Sequence, residues 1–259
     1  LKNQKIVTEL KNSHNRFISN IIHYLDENNK RDIIMSISHK DNNIKIWNAY
    51  NWEYILNLQD INKKGFLFSG GFLNSNNQNY IITSNLNYID NPEAIKIFDF
   101  NGNKIKEIKN SNENIFFIES FYDYKTSKNY IIASHKNYVK SYNYNDNKLY
   151  KKYYENKNGL HKTFFLISNE EIIKLIDSCQ DGNIRIWNFH SGLLLNKIKV
   201  NRCLNDICLW NNNYIFVGAN QSFNKKDFED NTIKLVDLKK RKIIISLSGH
   251  KELYINFRN

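Results

Sequence analysis

The 259-residue sequence predicts an all-β protein built from one repeated, four-stranded antiparallel unit. Three observations carry that prediction. First, a short phrase recurs: a branched apolar residue, a basic residue, a usually apolar one, usually an aromatic, then Asn or Asp. It reads Ile44-Lys45-Ile46-Trp47-Asn48, Ile95-Lys96-Ile97-Phe98-Asp99, Val139-Lys140-Ser141-Tyr142-Asn143, Ile184-Arg185-Ile186-Trp187-Asn188 and Ile233-Lys234-Leu235-Val236-Asp237. Second, the fourth positions lie 51, 44, 45 and 49 residues apart, a period that marks an array of one supersecondary unit. Third, the text between the phrases is strand-like. Short runs of Ile, Tyr, Phe and Val alternate with Asn, Asp, Gly and Lys clusters, and no long stretch has a helical period.

The units follow one another in order. In the first, strands are expected at 17–24, 32–38, 44–48 and 54–58; in the second, at 66–72, 80–84, 94–100 and 104–108. The third is read at 115–121, 130–134, 138–144 and 149–154. The fourth is the clearest. Phe164-Phe165-Leu166-Ile167 starts it, 172–176 follows, and Asp181-Gly182 supplies the positive φ of a tight hairpin before 184–188 and 193–200. The fifth runs 204–210, 214–219, 232–238 and 242–247. Two strands are left over, 5–10 before the first unit and 253–257 after the fifth.

A four-stranded unit of this length with a Trp-Asp-like ending resembles the blade of a WD-repeat β-propeller. The resemblance spans nearly the whole chain and is strongest at 181–188 and 41–48. It implies a single propeller domain over 1–259, with blades at 15–60, 64–110, 113–156, 161–200 and 203–248. The leftover strands make up half a blade. The chain is therefore expected to belong to a longer one, or to be completed by a neighbouring segment, in a ring of seven blades or, more simply, six.

The resemblance also implies a buried polar set in each blade: a His before the first strand, an Asp in the tight turn, a hydroxyl on the second strand, and the Trp. Gly249-His250 matches the family's Gly-His pair, while His14 and His161 keep only the His. His14, Asp41 and Trp47 fit three roles in the first blade; His161, Asp181 and Trp187 fit them in the fourth. Ile37 and Asp177 stand where the hydroxyl is expected, and a one-residue shift would offer Ser36, Ser38 or Ser178. Asp230 has the right place before Val236 without a His or Trp, and Pro92 and Lys136 occupy the Asp slot in the second and third blades. These His and Asp residues read as structural, because no activated nucleophile accompanies them.

Composition bounds the function. The formal charge is +11, with Lys and Arg scattered and one basic run at 239–242. Such a charge is compatible with nucleic acid or acidic lipid, and equally with lysine as a solubilising residue. The 45 Asn residues interleave with strands and so belong to ordered loops. Cys179, Cys203 and Cys208 have neither zinc-ligand spacing nor a disulfide framework, which suggests reduced thiols and an intracellular, cytoplasmic or nuclear protein. No apolar run is long enough to span a bilayer. No metal-ligand cluster, phosphate-cradling Gly loop or nucleophile elbow is present, so no enzyme activity and no cofactor are expected.

The function expected from the resemblance is a scaffold that docks proteins or peptides within a complex, on the face carrying the turns between second and third strands. Lys40, His135, Gln180 and Glu229 precede the Asp slot and are expected at the rim of that face. Phe223 and Phe228, in the longest insertion, are further candidate contacts. The alternative is a reader of nucleic acid or acidic lipid.

Overall fold

The computed structural model describes residues 8–10, 13–27, 29–39, 41–59, 66–86, 94–109, 114–155, 160–167, 172–200, 204–219 and 232–248. They form five four-stranded sheets, each antiparallel and in sequence order. Blade 1 comprises β1 (Ile18–Asp26), β2 (Arg31–Ser38), β3 (Asn43–Asn48) and β4 (Tyr54–Leu58). Blade 2 comprises β5 (Phe66–Ser75), β6 (Gln78–Leu86), β7 (Ala94–Phe98) and β8 (Lys104–Lys109). Blade 3 has β9 (Phe117–Asp123), β10 (Lys128–Ser134), β11 (Val139–Asn143) and β12 (Lys148–Tyr153). Blade 4 has β13 (Leu160–Ile167), β14 (Ile173–Cys179), β15 (Asn183–Asn188) and β16 (Leu194–Lys199). Blade 5 has β17 (Leu204–Asn211), β18 (Tyr214–Ala219), β19 (Ile233–Asp237) and β20 (Lys242–Leu247). Of the two leftover segments, residues 8–10 are irregular, and 5–7 and 253–257 lie outside the described residues. No helix is long and apolar enough to cross a membrane among the described residues.

The repeated phrase explains how blades stack. Side chains alternate along a strand, so the first and third residues of the phrase face one way and the second and fourth the other. Ile44 and Ile46 of blade 1, with Ile33, Met35 and Ile37, pack on Phe72, Ile81 and Phe98 of blade 2. Blade 2 repeats the arrangement: Ile95 and Ile97 meet Ile131, Ala133 and Tyr142 of blade 3. Val139 and Tyr153 of blade 3 meet Leu175, Trp187 and Phe189 of blade 4. Ile184 and Ile186 of blade 4 meet Ile215, Val217 and Val236 of blade 5. Blades 1, 2 and 4 thus have a forward face carrying the branched pair and a backward face carrying the aromatic, while blade 3 has Ser141 in the pair and blade 5 has Val236 in the aromatic's place. The core is divided among four seams.

The hairpins follow turn chemistry. Asn42, at φ 50°, and Gly182, at φ 80°, take the left-handed conformation in the turns joining second to third strands. Gly182 N–H closes its turn by donating to the Cys179 carbonyl at 2.9 Å. A cavity of about 500 Å³ lies between the innermost strands β1, β5 and β9, lined in part by Gly70, Gly71, His23 and Glu119. The turns joining second to third strands share one end of the molecule with the starts of the innermost strands, because alternate strands run in opposite directions. That end is called the upper end below.

Candidate functional site

In blade 1, three sequence-predicted residues come together beneath the upper end. Trp47 Nε1–H donates to Ser36 Oγ at 2.9 Å, and His14 Nε2 lies 2.8 Å from the same oxygen. The hydroxyl of the set is therefore Ser36, because Ser36 pairs with Lys45 and so shares the backward face with Trp47. Ile37, the residue expected there, is one position on; its side chain points forward into the seam with blade 2. Asp41 Oδ2 accepts from Ser38 Oγ at 2.9 Å and from the backbone N–H groups of Asn15 and Arg16 at 2.8 and 3.0 Å. His14 Nδ1 stands 4.0 Å from that carboxylate and makes no hydrogen bond. Burial, reinforced by Lys45 and only partly opposed by Asp41, lowers the His14 pKa, so the ring is neutral.

Blade 4 assembles its set differently. Asp177, fully buried on the backward face, takes the hydroxyl position and accepts from Trp187 Nε1 at 2.5 Å. Its other oxygen has no hydrogen-bond partner among the described residues. Burial pushes the Asp177 carboxyl up to about 7, against the opposing Trp187 hydrogen bond and Arg185 charge. The turn residue Asp181 is held by Arg185, whose fork reaches it at 2.5 and 3.2 Å while Nε donates to Glu155 at 3.0 Å. Burial works to raise Asp181, but Arg185 and Asn183 outweigh it and hold the carboxyl down at about 2. His161 sits in β13, where the register shifts between Leu160 and Lys162, and its side chain lies outside the described residues.

Of the rim candidates, His135 is a correction. It is fully buried, not a surface contact. Its ring lies 5.0 Å from that of Tyr138, and burial lowers its pKa to about 3. Gln180 is half-buried. Lys40, Phe223, Phe228, Glu229, Asp230 and His250 lie outside the described residues.

The upper end carries a feature that motif reading passed over. Phe17, His39, Phe68 and Phe116 form an arc of rings across blades 1 to 3. Phe17 stacks on His39 at 6.3 Å, and His39 meets Phe68 edge-on at 5.5 Å. Phe68 meets Phe116 edge-on at 5.7 Å. Phe17 is exposed; Phe68 and Phe116 are half-buried. The arc is held rigidly. His39 Nδ1 lies 3.0 Å from the Leu67 carbonyl, and Leu67 N–H donates to Asn42 Oδ1 at 2.9 Å, so the blade 1 turn is pinned to blade 2. Further along the same end, Lys152 Nζ lies 3.9 Å from the Tyr138 ring centroid and 5.2 Å from that of Tyr154, and Lys140 Nζ lies 4.9 Å from that of Tyr138. The surface is apolar where Phe17, Phe68 and Phe116 reach it, with His39 buried among them, and carries the exposed Lys152 at the edge of blade 3, where Lys140 and Tyr138 are buried. No group of three or more His, Cys, Asp or Glu positioned to hold a metal occurs among the described residues.

No family model and no curated protein matches the sequence. The architecture does match. The crystal structure of the WD40 β-propeller domain of Doa1 aligns with a TM-score of 0.67 at 14% sequence identity, over 92% of this chain and 71% of that one. With its five ordered blades, the repeated phrase on every third strand and this structural likeness, the chain has the fold of a WD40 β-propeller.

Proposed function

We propose that this chain is a non-enzymatic interaction scaffold that docks a protein or peptide partner on its upper end. The observation that carries the reading is the arc Phe17–His39–Phe68–Phe116. Rigid aromatic rings give contact area at low entropic cost and dominate the energetics of many interfaces. The exposed Lys152, stacked on Tyr138 beside the arc, suits a partner that flanks an apolar anchor with an acidic residue. The polar sets of blades 1 and 4 serve to hold Trp47 and Trp187, which leaves them no role in turnover.

The test is a pull-down from the source cells at low and high salt, quantified by mass spectrometry. The bait is compared with a Phe17→Ser, Phe116→Ser variant. A control changes Tyr50 and Tyr124, which are exposed at the opposite end. Protein partners that survive high salt, fall at least tenfold with the arc variant and persist with the control are the expected result. Recovery of nucleic acid or lipid alone, lost at high salt, would replace this reading with a charge-driven one.

A further inference from the structure

In blades 3 and 4 the basic second residue of the phrase pairs across the sheet with another basic residue on the fourth strand. Arg185 pairs with Lys197, and Lys140 with Lys152. Like charges directly opposite one another destabilise a sheet. Blade 4 offsets the repulsion with carboxylates. Glu155 Oε2 bridges the pair, 3.0 Å from Arg185 Nε and 3.1 Å from Lys197 Nζ, and Asp181 takes the guanidinium fork. Asp177 pairs with Arg185 from the second strand.

Blade 3 has other residues at these places. Ala133 pairs with Lys140. Lys136 holds the turn position of Asp181, three residues before the phrase. Val139 pairs with Tyr153 and Ile95 with Ile108, so the place of Glu155, two residues beyond Tyr153, corresponds in sequence to Asn110, outside the described residues. Five positions that hold two basic and three acidic residues in blade 4 thus hold three basic residues and no acidic one in blade 3. In blades 1, 2 and 5 they hold one lysine and at least one acidic residue. Lys140 and Lys152 both stack on the Tyr138 ring, 4.9 and 3.9 Å from its centroid. Lys140 is buried and contributes field; Lys136 and Lys152 are exposed and available for contact.

From this reversal of charge at matched positions we infer that the upper end of blade 3 is a phosphate-binding subsite, and that its ligand is a phosphoserine or phosphothreonine of the docked partner. The inference rests on the upper end being a docking surface and names the chemistry of one contact. A phosphomonoester carries about two negative charges at neutral pH and three strong acceptor oxygens, so one group answers several ammoniums. One bridging carboxylate suffices in blade 4 because Asp181 shares the guanidinium. The subsite adjoins the arc. Phe116 N–H donates to the Ser134 carbonyl at 2.9 Å, next to the turn that carries Lys136, so one peptide segment spans both. Nucleic acid binds instead through a track of many phosphate contacts.

The test immobilises the chain and offers short degenerate peptides in three pools, centred on phosphothreonine, threonine or glutamate. The phosphothreonine pool is expected to be retained at least tenfold over each of the others. Its retention falls at least fivefold with Lys152→Glu and with Lys136→Glu, and persists with Lys152→Arg; urea unfolding checks that the variants are folded. Retention of the threonine or glutamate pool equal to that of the phosphothreonine pool, or retention unchanged by both charge reversals, overturns the inference. So does tighter, Lys152-dependent binding of phosphatidylserine vesicles or of a thymidine oligonucleotide. The two readings fail separately. Protein partners lost with Phe17→Ser, Phe116→Ser but captured without preference for phosphate leave the docking surface standing and overturn the subsite.

Discussion

Blades 1 and 4 carry the two clearest copies of the repeat phrase, yet they stabilise their tryptophans by different chemistry. In blade 1 a neutral serine accepts from Trp47 and contacts a neutral His14, while Asp41 is spent on backbone N–H groups. In blade 4 a buried carboxyl accepts from Trp187, and Asp181 is taken by Arg185. Two cross-strand neighbours differ: Ser36 opposite Lys45 in blade 1, and Asp177 opposite Arg185 in blade 4. Lysine at 45 is a flexible point charge and lies over the Trp47 and Tyr54 rings, 5.9 and 6.0 Å from their centroids. Arginine at 185 has a rigid fork that captures Asp181 and Glu155 at once and places positive charge near Asp177. The strand geometry is shared; the polar partners differ with the second-strand residue, Ser36 against Asp177, and with the basic residue opposite it, Lys45 against Arg185.

Removing that residue should separate the blades most. Arg185→Ala leaves Asp181 and the buried Asp177 without their cation and is expected to cost about 3–5 kcal/mol. Lys45→Ala should cost no more than about 1 kcal/mol. Urea unfolding followed by tryptophan fluorescence compares them, and equal losses would break the distinction. Next in size is the indole N–H. Trp187→Phe removes the hydrogen bond that the Asp177 side chain accepts from the indole and should cost about 2–3 kcal/mol, whereas Trp47→Phe, which leaves Ser36 in contact with His14, should cost about 1 kcal/mol.

The third prediction concerns pH. The folded-state pKa of Asp177, about 7, lies above the ordinary carboxyl value of 3.8. The folded state therefore holds a proton that the unfolded state has already lost, so this group's contribution to stability falls as pH rises from about 4 to 7. Arg185 opposes this shift, while Asp181 and Glu155 add to it. Asp177→Asn should flatten that part of the profile, seen as a melting temperature that declines less between pH 5 and pH 8 than that of the parent. An unchanged profile would show that Asp177 does not titrate there. The smallest effect is a transplant. Ser36→Asp should destabilise blade 1, and adding Lys45→Arg should restore about 1 kcal/mol, a coupling read from a double-mutant cycle.

The strand order was legible in the sequence because alternation, turn residues and the repeated phrase agreed at every unit. Boundaries moved by only a few residues, most at β13, which begins at Leu160 rather than Phe164. The polar set was legible by residue type but not by register. Ser36 and Ile37 differ by one position, and in a strand one position exchanges the two faces. The rim was the least legible part. Counting back from the third strand selected Lys40 and His135, but His39 and His135 each follow the serine that ends a second strand, and both side chains turn inward. Phe17, Phe68 and Phe116 read as ordinary strand residues, since nothing in a linear pattern shows that three blades bring them into one arc.

The most direct test of the docking surface is hydrogen exchange on the complex with the partner that the pull-down recovers. Binding should slow exchange at residues 15–19, 39, 41–42, 67–69 and 115–118, around the arc, and leave residues 49–53 and 122–127, at the opposite end, unchanged. Protection confined to the opposite end, with the arc exchanging as in the free protein, would contradict the account.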